Sequence, residues 1–304
     1  YAGTTGRNLL RITTPFLGPN VFPVIGSVGA TVAGPNSVAG PQISGIVSRP
    51  VRVNPAGPLG ALASRVGSFN VIETTGRSRY DSFQASLRGR YATRFQYQVA
   101  YTFSKAFDEV SDVFDVAGAA ALPQNSLTLA GEYARSNFDV PHRLAYNFLW
   151  DIVPGASGFQ LAGTGQFQSG QPFTVNSIID VNTDGNLTDR LNSLDGVNVT
   201  DENRQRLTLS TTDTRGLLAP LGRDGAVRRN SFRAGNFALV NLTVIKKFGF
   251  TETQNMALRF DVFNLLNREN FGVPVRFLEA PGFGGATETV TPGRRLQIGL
   301  KYTF

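Results

Sequence analysis

From Tyr80 to its end, the chain repeats one pattern, in which apolar and polar residues alternate strictly over segments of about ten residues. Successive side chains of a strand point to opposite faces, so such a segment has one apolar face and one polar face. The last segment, LQIGLKYTF, puts five apolar residues on one face: Leu296, Ile298, Leu300, Tyr302 and Phe304. The pattern predicts β-strands, and an apolar strand end that needs a pairing partner if it is not to fray.

The other alternating segments come in pairs joined by short turns, which predicts hairpins with long arms. The pairs are 83–91 with 95–105, 143–153 with 159–169, and 237–248 with 255–266. Long connections separate them, at 106–142, 170–236 and 267–293. Regular alternation starts at Tyr80. We therefore expect one partial strand and a long external loop region in 1–79, and seven regular strands in 80–304.

Strand length and loop order favour a membrane protein over a soluble β-sandwich, which would also alternate. Globular strands average about 5–6 residues, whereas a tilted strand needs about 9–11 to cross a bilayer. All the short turns fall on one side of the predicted sheet and all the long loops on the other. Outer-membrane barrels have short periplasmic turns and long external loops. The predicted fold is an all-β, antiparallel transmembrane β-barrel.

Each face of the predicted barrel has its own composition. Aromatic residues near the short-turn ends suit a belt at the membrane interface, although core aromatics are the alternative: Tyr91, Phe95, Trp150, Phe159, Phe248, Tyr302 and Phe304. Polar groups are costly in lipid, so the other face should line a lumen. The predicted lumen-facing residues are Arg88, Arg90, Gln98, Arg143, Asn147, Gln166, Asn241, Arg259, Asp261 and Lys301. We expect Arg259 and Asp261 to form structural pairs, with substrate contact as the alternative.

Composition excludes several classes of protein. The chain has no Cys, and hence no disulfide framework or thiol metal site, and no apolar run reaches 18 residues. Its formal net charge is +7, but the Arg residues are scattered, which argues against nucleic acid as a partner. The nearest approach to a basic patch is RRNSFR (228–233), which suits a solvated loop or contact with anionic lipid headgroups. The chain begins at Tyr1 without a signal-peptide pattern, so we expect a mature product or, preferably, a fragment.

The stretch DVNTDGNLTD (180–189) matches the first half of a calcium loop. Oxygen-bearing side chains alternate around Gly185, and the candidate ligands are Asp180, Asn182, Asp184, Asn186 and Asp189. The twelfth position, where a bidentate Glu is required, is Leu191. A turn rich in Asp, Asn and Gly is the favoured alternative. We expect no cofactor, with calcium as the one candidate.

His142 is the only histidine, with Ser136 and Asp139 nearby in the sequence. No nucleophile elbow or oxyanion motif accompanies it. We therefore expect a polar residue at a loop-to-strand junction and no enzyme activity.

Several segments, in their order along the chain, resemble TonB-dependent outer-membrane receptors of the Oar-like type, which often carry a carboxypeptidase-regulatory-like domain upstream. The late-barrel segment FDVFNLLNRENFG (260–272) carries the resemblance, together with NFDVPHRLAYNFLWDIV (137–153) and YDSFQASLRGRY (80–91). YTFSKAFD, VNLTVIKKF and the opening YAGTTGRNLL resemble further parts of the same barrels.

The resemblance implies about twenty-two strands, an N-terminal plug and a segment that contacts TonB. The plug is absent here, so the chain would be the C-terminal part of the barrel. It also implies that the barrel-assembly machinery reads the closing strand, with Ile298, Leu300 and Tyr302 facing lipid and Phe304 as its terminal aromatic residue.

The expected function is transport across the outer membrane of a Gram-negative-type bacterium. Long external loops would capture a ligand that the sequence does not identify, and the lumen would pass it. The alternative is a self-contained small barrel acting as an adhesin or porin, since about eight strands can close a barrel.

Overall fold

The computed structural model describes residues 1–13, 24–26, 45–47, 71–112, 122–126, 128–182, 186–200, 206–210 and 214–304. Eight long strands build the molecule: β1 (Ala2–Thr13), β4 (Val71–Tyr91), β5 (Phe95–Asp108), β7 (His142–Val153), β8 (Phe159–Gln168), β13 (Phe237–Gly249), β14 (Asn255–Phe263) and β15 (Arg295–Thr303). Short strands lie between them: β2 (Val24–Gly26), β3 (Gly45–Val47), β6 (Ala134–Arg135), β9 (Pro172–Phe173), β10 (Val197–Thr200), β11 (Arg206–Leu209) and β12 (Phe232–Arg233). One 3₁₀ turn spans Thr214–Leu217.

The long strands form a single antiparallel sheet in the order β1-β4-β5-β7-β8-β13-β14-β15, and β6 adds to the end of β5. This arrangement confirms the all-β, antiparallel prediction. In the part of the chain that the structure describes, no helix is long and apolar enough to cross a membrane.

The pairing register keeps the two faces separate across seven strands. One apolar row runs through directly paired residues: Tyr91, Phe95, Trp150, Leu161, Val244, Phe260 and Ile298. Aromatic rings also cover glycines of the neighbouring strand on this face. A Cβ at Gly163 would lie 2.4 Å from the Phe148 ring, and one at Gly165 would lie 2.2 Å from the Tyr146 ring. Ring and glycine together keep the apolar face closely packed.

The strands differ from the prediction at their loop ends. β4 begins at Val71, nine residues before the predicted start of regular alternation at Tyr80. β1 pairs with this early part of β4, from Ala2 opposite Ser82 to Thr13 opposite Val71. After Val71 and Ile72, residues 73–79 are polar on both faces because they lie beyond the apolar band, so alternation does not reveal them.

All three short turns, at 92–94, 154–158 and 250–254, lie at one end of the sheet, and the long connections lie at the other. Among the described residues, β15 pairs only with β14 and β1 only with β4, so the sheet is open. A sheet of eight long strands does not by itself support the expected barrel of about twenty-two strands.

Candidate functional site at the long-loop end

The long connections pack into a layer with its own apolar core at one end of the sheet. Phe173 of β9 stacks on Phe232 of β12, with ring centroids 5.8 Å apart. Leu191 and Leu278 are fully buried. The remaining buried apolar members are Val175, Ile179, Val181, Leu207, Leu217, Leu218, Ala219 and Ala234. We call this assembly the loop layer; sequence alternation did not predict its core.

Buried ion pairs join the loop layer to the strand ends. The Arg229 guanidinium pairs with the Asp108 carboxylate at the end of β5 and donates to the Asp108 carbonyl at 2.6 Å. Arg190 pairs with Glu132, and both side chains are about 95% buried. Arg233 pairs with Asp139, whose Oδ1 also accepts the Ala106 backbone N–H at 2.8 Å. A charge left buried without its partner is costly, so these pairs restrict how the layer can sit on the sheet.

A fourth carboxylate, that of Glu109, joins β1 to β4. Glu109 accepts from Arg11 Nη2 at 3.1 Å and from Arg77 Nη2 at 2.6 Å. Burial opposes ionisation of Glu109, but the hydrogen bonds and charges of Arg77 and the charge of Arg11 outweigh it, so the pKa of Glu109 lies below its ordinary value. The Glu109 carboxylate therefore stays ionised between two strands that the chain connects only through a long segment.

A cavity of about 180 Å³ lies between the strand ends and the loop layer. Four arginines line it, Arg11, Arg190, Arg229 and Arg276, and apolar side chains such as Phe173 complete its wall. Arg11 is 3% exposed, and its Nε has no hydrogen-bond partner. Burial lowers the pKa of Arg276, whose guanidinium lies 5.1 Å from the Phe277 ring centroid. Glu109, Asp112 and Glu132 also line it, and Glu109 and Glu132 pair with Arg11 and Arg190, so the cavity combines charges of both signs with apolar surface.

The predicted calcium loop is buried inside the layer. Asp180, Asn182, Asn186 and Asp189 are each at most 6% exposed, whereas Asp184 lies outside the described residues. Asp189 Oδ2 accepts the Val181 backbone N–H at 2.6 Å. No group of three or more His, Cys, Asp or Glu side chains among the described residues could hold a metal ion. Calcium remains the less favoured alternative to a structural turn at this loop.

The two asparagines of this loop connect it to residues 122–126. Asn182 Nδ2 donates to the Gln124 carbonyl at 2.9 Å and to Asp224 Oδ1 at 2.8 Å. Asn186 Nδ2 donates to Ser126 Oγ at 3.0 Å. The turn therefore links segments that lie far apart in the chain, a structural role that the sequence pattern did not indicate.

Glu279 is a buried acid that sequence reasoning missed. It is 3% exposed and accepts from Ser177 Oγ at 2.6 Å and from the Ile178 backbone N–H at 2.9 Å. Burial raises the pKa of Glu279 despite these hydrogen bonds. A lone acid directly after the apolar pair of Phe277 and Leu278 was the available signal in the sequence.

The segment 260–272 uses its asparagines to fasten the strand ends. Asn264 Nδ2 donates to the Pro292 carbonyl at 3.1 Å, and Asn267 Oδ1 accepts the Arg294 N–H at 3.1 Å. Asn270 exchanges two hydrogen bonds of 2.9 Å with the Ala238 backbone. Asn264 and Asn267 adopt φ values of 53° and 49°, a left-handed conformation that asparagine tolerates better than most residues.

The register brings all ten predicted lumen residues to one face of the sheet, opposite the apolar face. Arg88 is paired with Gln98, and Gln98 with Asn147. Asn147 and Asn241 are both paired with Thr164, which lies on the strand between them. The others on this face are Arg90, Arg143, Gln166, Arg259, Asp261 and Lys301. Asp261 is 3% exposed, and its carboxylate accepts from Arg259 Nε at 2.8 Å and Thr243 Oγ1 at 2.6 Å. That these groups line a lumen remains a prediction.

Comparison with known protein families shows to which family the chain belongs. The sequence model of the family described as "Outer membrane beta barrel domain" matches residues 1–297. The chain belongs to this outer-membrane β-barrel family. It is therefore a protein of the outer membrane. No curated protein and no solved structure matches the chain significantly.

In this outer-membrane β-barrel domain, the predicted aromatic belt residues share the apolar face of the sheet, and their contact with the membrane interface remains a prediction. Near the short-turn end of the sheet, Tyr91, Phe95 and Trp150 are paired across three strands. Phe95 and Trp150 make an edge contact at 6.2 Å. Phe159 on β8 and Phe248 on β13 also lie near the short-turn end of the sheet.

The predicted assembly residues lie on the same face of the barrel domain. Ile298, Leu300 and Tyr302 are 71%, 66% and 49% exposed, and Tyr302 stacks on Phe304 with ring centroids 6.1 Å apart. β15 is thus an apolar edge strand, which requires a partner or a covering. Recognition of these residues by the assembly machinery remains a prediction.

His142 lies at the start of β7 in the barrel domain and contacts the neighbouring strand. Its Nδ1 lies 2.8 Å from the Tyr101 hydroxyl oxygen, across the β5–β7 pair. The Asp139 carboxylate bonds instead to Ala106, Arg135 and Arg233. These contacts are those of a strand-end residue, and the absence of enzyme activity remains a prediction.

Proposed function

We propose that this barrel domain is the C-terminal part of an Oar-like, TonB-dependent outer-membrane receptor. Its long loops would face the exterior and capture a ligand, which would then pass along the polar face of the wall. The observation that supports this proposal most is the loop layer, a packed and ion-paired structure that encloses an arginine-lined cavity. Ligand-binding surfaces are commonly carried by loops that a rigid scaffold positions.

The strand directions support a larger barrel. β1 pairs with β4 only beyond the apolar band, so the membrane-level part of β4, from Phe83 to Tyr91, has a bare edge among the described residues. β4 and β15 both run from the loop end to the short-turn end. Antiparallel closure between them therefore needs an odd number of further strands at membrane level, and we propose that a barrel of about twenty-two strands provides them.

A self-contained small barrel is the second candidate, since eight long strands already form one continuous sheet. It would serve as an adhesin or porin. In that case the edges of β4 and β15 would have to meet directly as a parallel pair, because β1 does not reach the membrane level of β4.

Disulfide cross-linking in the native outer membrane distinguishes the two candidates. The chain has no cysteine, so introduced pairs report without background. Leu258→Cys with Leu300→Cys, which are direct partners on β14 and β15, is the positive control. Leu87→Cys with Ile298→Cys joins the two open edges and should not cross-link in a larger barrel. Efficient cross-linking of this pair would contradict the receptor proposal.

The coding sequence upstream of Tyr1 gives an independent test. The receptor proposal expects an open frame that encodes further alternating strands and a plug. A start codon and signal peptide within about thirty codons would favour the small barrel instead.

A further inference from the structure

A groove of about 890 Å³ lies at the loop end of the sheet, outside the cavity described above. Its walls are formed by the end of β5, the strand β6 and the segment 228–233, together with Leu194, Val199 and Leu207 of the loops. We call it the basic groove and define it by Arg135, Arg228 and Arg233, together with the aromatic pair Phe107 and Tyr133. The two rings stack with centroids 6.1 Å apart and an interplanar angle of 20°.

The register places this groove on the lipid-facing side of the wall. Phe103, Lys105 and Phe107 occupy alternate positions of β5, and Phe103 belongs to the apolar face. Arg135 is the direct partner of Phe107, so it lies on that face as well. Phe107 is four residues beyond Phe103, which corresponds to about 13 Å along a strand. The groove therefore opens just beyond the apolar band, at the depth where lipid headgroups begin.

The groove and its rim have a surplus of positive charge. The carboxylates beside the groove are Asp81, Asp108, Glu109 and Asp139. The cations are Arg77, Arg79, Lys105, Arg135, Arg228, Arg229 and Arg233. Seven cations against four carboxylates leave three positive charges unmatched. Lys105 and Arg228 are exposed, and neither forms an ion pair with a described residue.

Aromatic and basic groups are combined here in a way that suits a phosphorylated lipid. Arg77 lies over the Tyr133 ring, at 5.8 Å from its centroid, and Lys105 lies 6.0 Å from the Phe103 ring centroid. Long basic side chains at a membrane interface keep their stems on apolar surface and their charges in the headgroup layer. Phosphate accepts several charge-assisted hydrogen bonds from arginine. Tyrosine suits the same interface because its ring is amphipathic.

We propose that the basic groove binds the phosphate-bearing headgroup of an outer-leaflet lipid. Arg135 and Arg228 would contact the phosphate, and Tyr133 with Phe107 would pack against the upper part of the lipid. This proposal rests on the location of the chain in the outer membrane and is independent of any receptor function. A lipid held there would fix the height of the wall in the membrane and support the loop layer from outside.

Lipid selectivity in a bilayer tests the proposal. The full-length protein is reconstituted in phosphatidylcholine, and electron spin resonance compares the association of spin-labelled phosphatidic acid with that of spin-labelled phosphatidylcholine. The wild type should prefer phosphatidic acid. The double variant Arg135→Gln/Arg228→Gln should lose about fivefold in preference per arginine, which corresponds to about 1 kcal/mol for each basic residue near a charged surface.

Arg223→Gln is the matched control, because Arg223 is an exposed loop arginine that does not line the groove. It should keep the wild-type preference. Lys105→Gln provides a second variant in case the double variant disturbs folding, since Lys105 forms no ion pair with the described residues, and it should reduce the preference by itself.

Four outcomes would overturn the proposal. These are no preference in the wild type, an unchanged preference in both groove variants, an equal loss in Arg223→Gln, and displacement of the labelled lipid by inorganic phosphate at constant ionic strength. The last result would assign the groove to soluble anions instead.

Discussion

The sheet of long strands, or strand wall, exposes its large apolar side chains, whereas the loop layer buries them. In the wall, large apolar side chains point outward; Ile298 is 71% exposed and Leu87 is 59% exposed. In the loop layer, Leu191 and Leu278 are completely buried and the acids that accompany them are paired or protonated more easily than usual. The difference shows that one chain is built for two solvents, with lipid around the wall and water around the loops.

The largest expected effect is on a buried ion pair of the loop layer. Glu132→Ala removes the partner of Arg190 and leaves a guanidinium that is about 95% buried. We expect a loss of about 3–5 kcal/mol in the stability of the layer. Amide hydrogen exchange of the loops measures this loss. Fluorescence of the single tryptophan, Trp150 in the wall, should remain unchanged. Glu252→Ala, in an exposed short turn, is the control, and an equal effect there would contradict the division into two regions.

A cavity in the apolar core of the loops should have a somewhat smaller effect. Leu191→Ala should cost about 2–5 kcal/mol, because the side chain is fully buried and its neighbours can relax only in part. Leu221→Ala, at a position that is 50% exposed, should cost much less. The midpoint of loop unfolding in urea gives both values. Equal midpoints for the two variants would mean that the loop core does not stabilise the layer.

An arginine placed on either face of the wall tests which face meets lipid. Val99→Arg or Leu242→Arg should cost about 2–4 kcal/mol if the apolar face meets the bilayer midplane. Gln98→Arg and Asn241→Arg, on the opposite face, should be nearly silent. Unfolding from lipid vesicles measures all four variants. A similar response of both faces would show that their assignment is wrong.

The smallest expected effect is a pH dependence confined to the loop layer. The pKa of Glu279 is raised in the folded state, so the folded layer retains a proton that the unfolded chain releases. The stability of the layer should therefore fall as the pH rises from the ordinary pKa of glutamate through the raised one. Glu279→Gln should flatten this part of the profile because an amide does not titrate, and its oxygen can still accept from Ser177 and Ile178. The urea midpoint measured across this pH range tests it; an unchanged slope in the variant would assign the effect to another group.

Local sequence pattern was sufficient for the wall. A strand has a side-chain period of two, so the alternation of residues such as Leu296 and Gln297 indicates the faces without knowledge of the partner strand. The short turns and the order of the long strands follow from the same pattern. Where both faces of a strand leave the apolar band, as in residues 73–79, the pattern ends although the strand continues.

Only the tertiary structure revealed the loop layer and the groove beside it. Ser177 and Glu279 are 102 residues apart in the chain, and Arg229 and Asp108 are 121 apart. Irregular backbone has no side-chain period, so nothing local indicates which of its apolar or charged residues will be buried together. Alternation was enough to determine the wall because its surroundings repeat every second residue, whereas the loop core depends on contacts between distant segments that form only when the sheet brings their ends together.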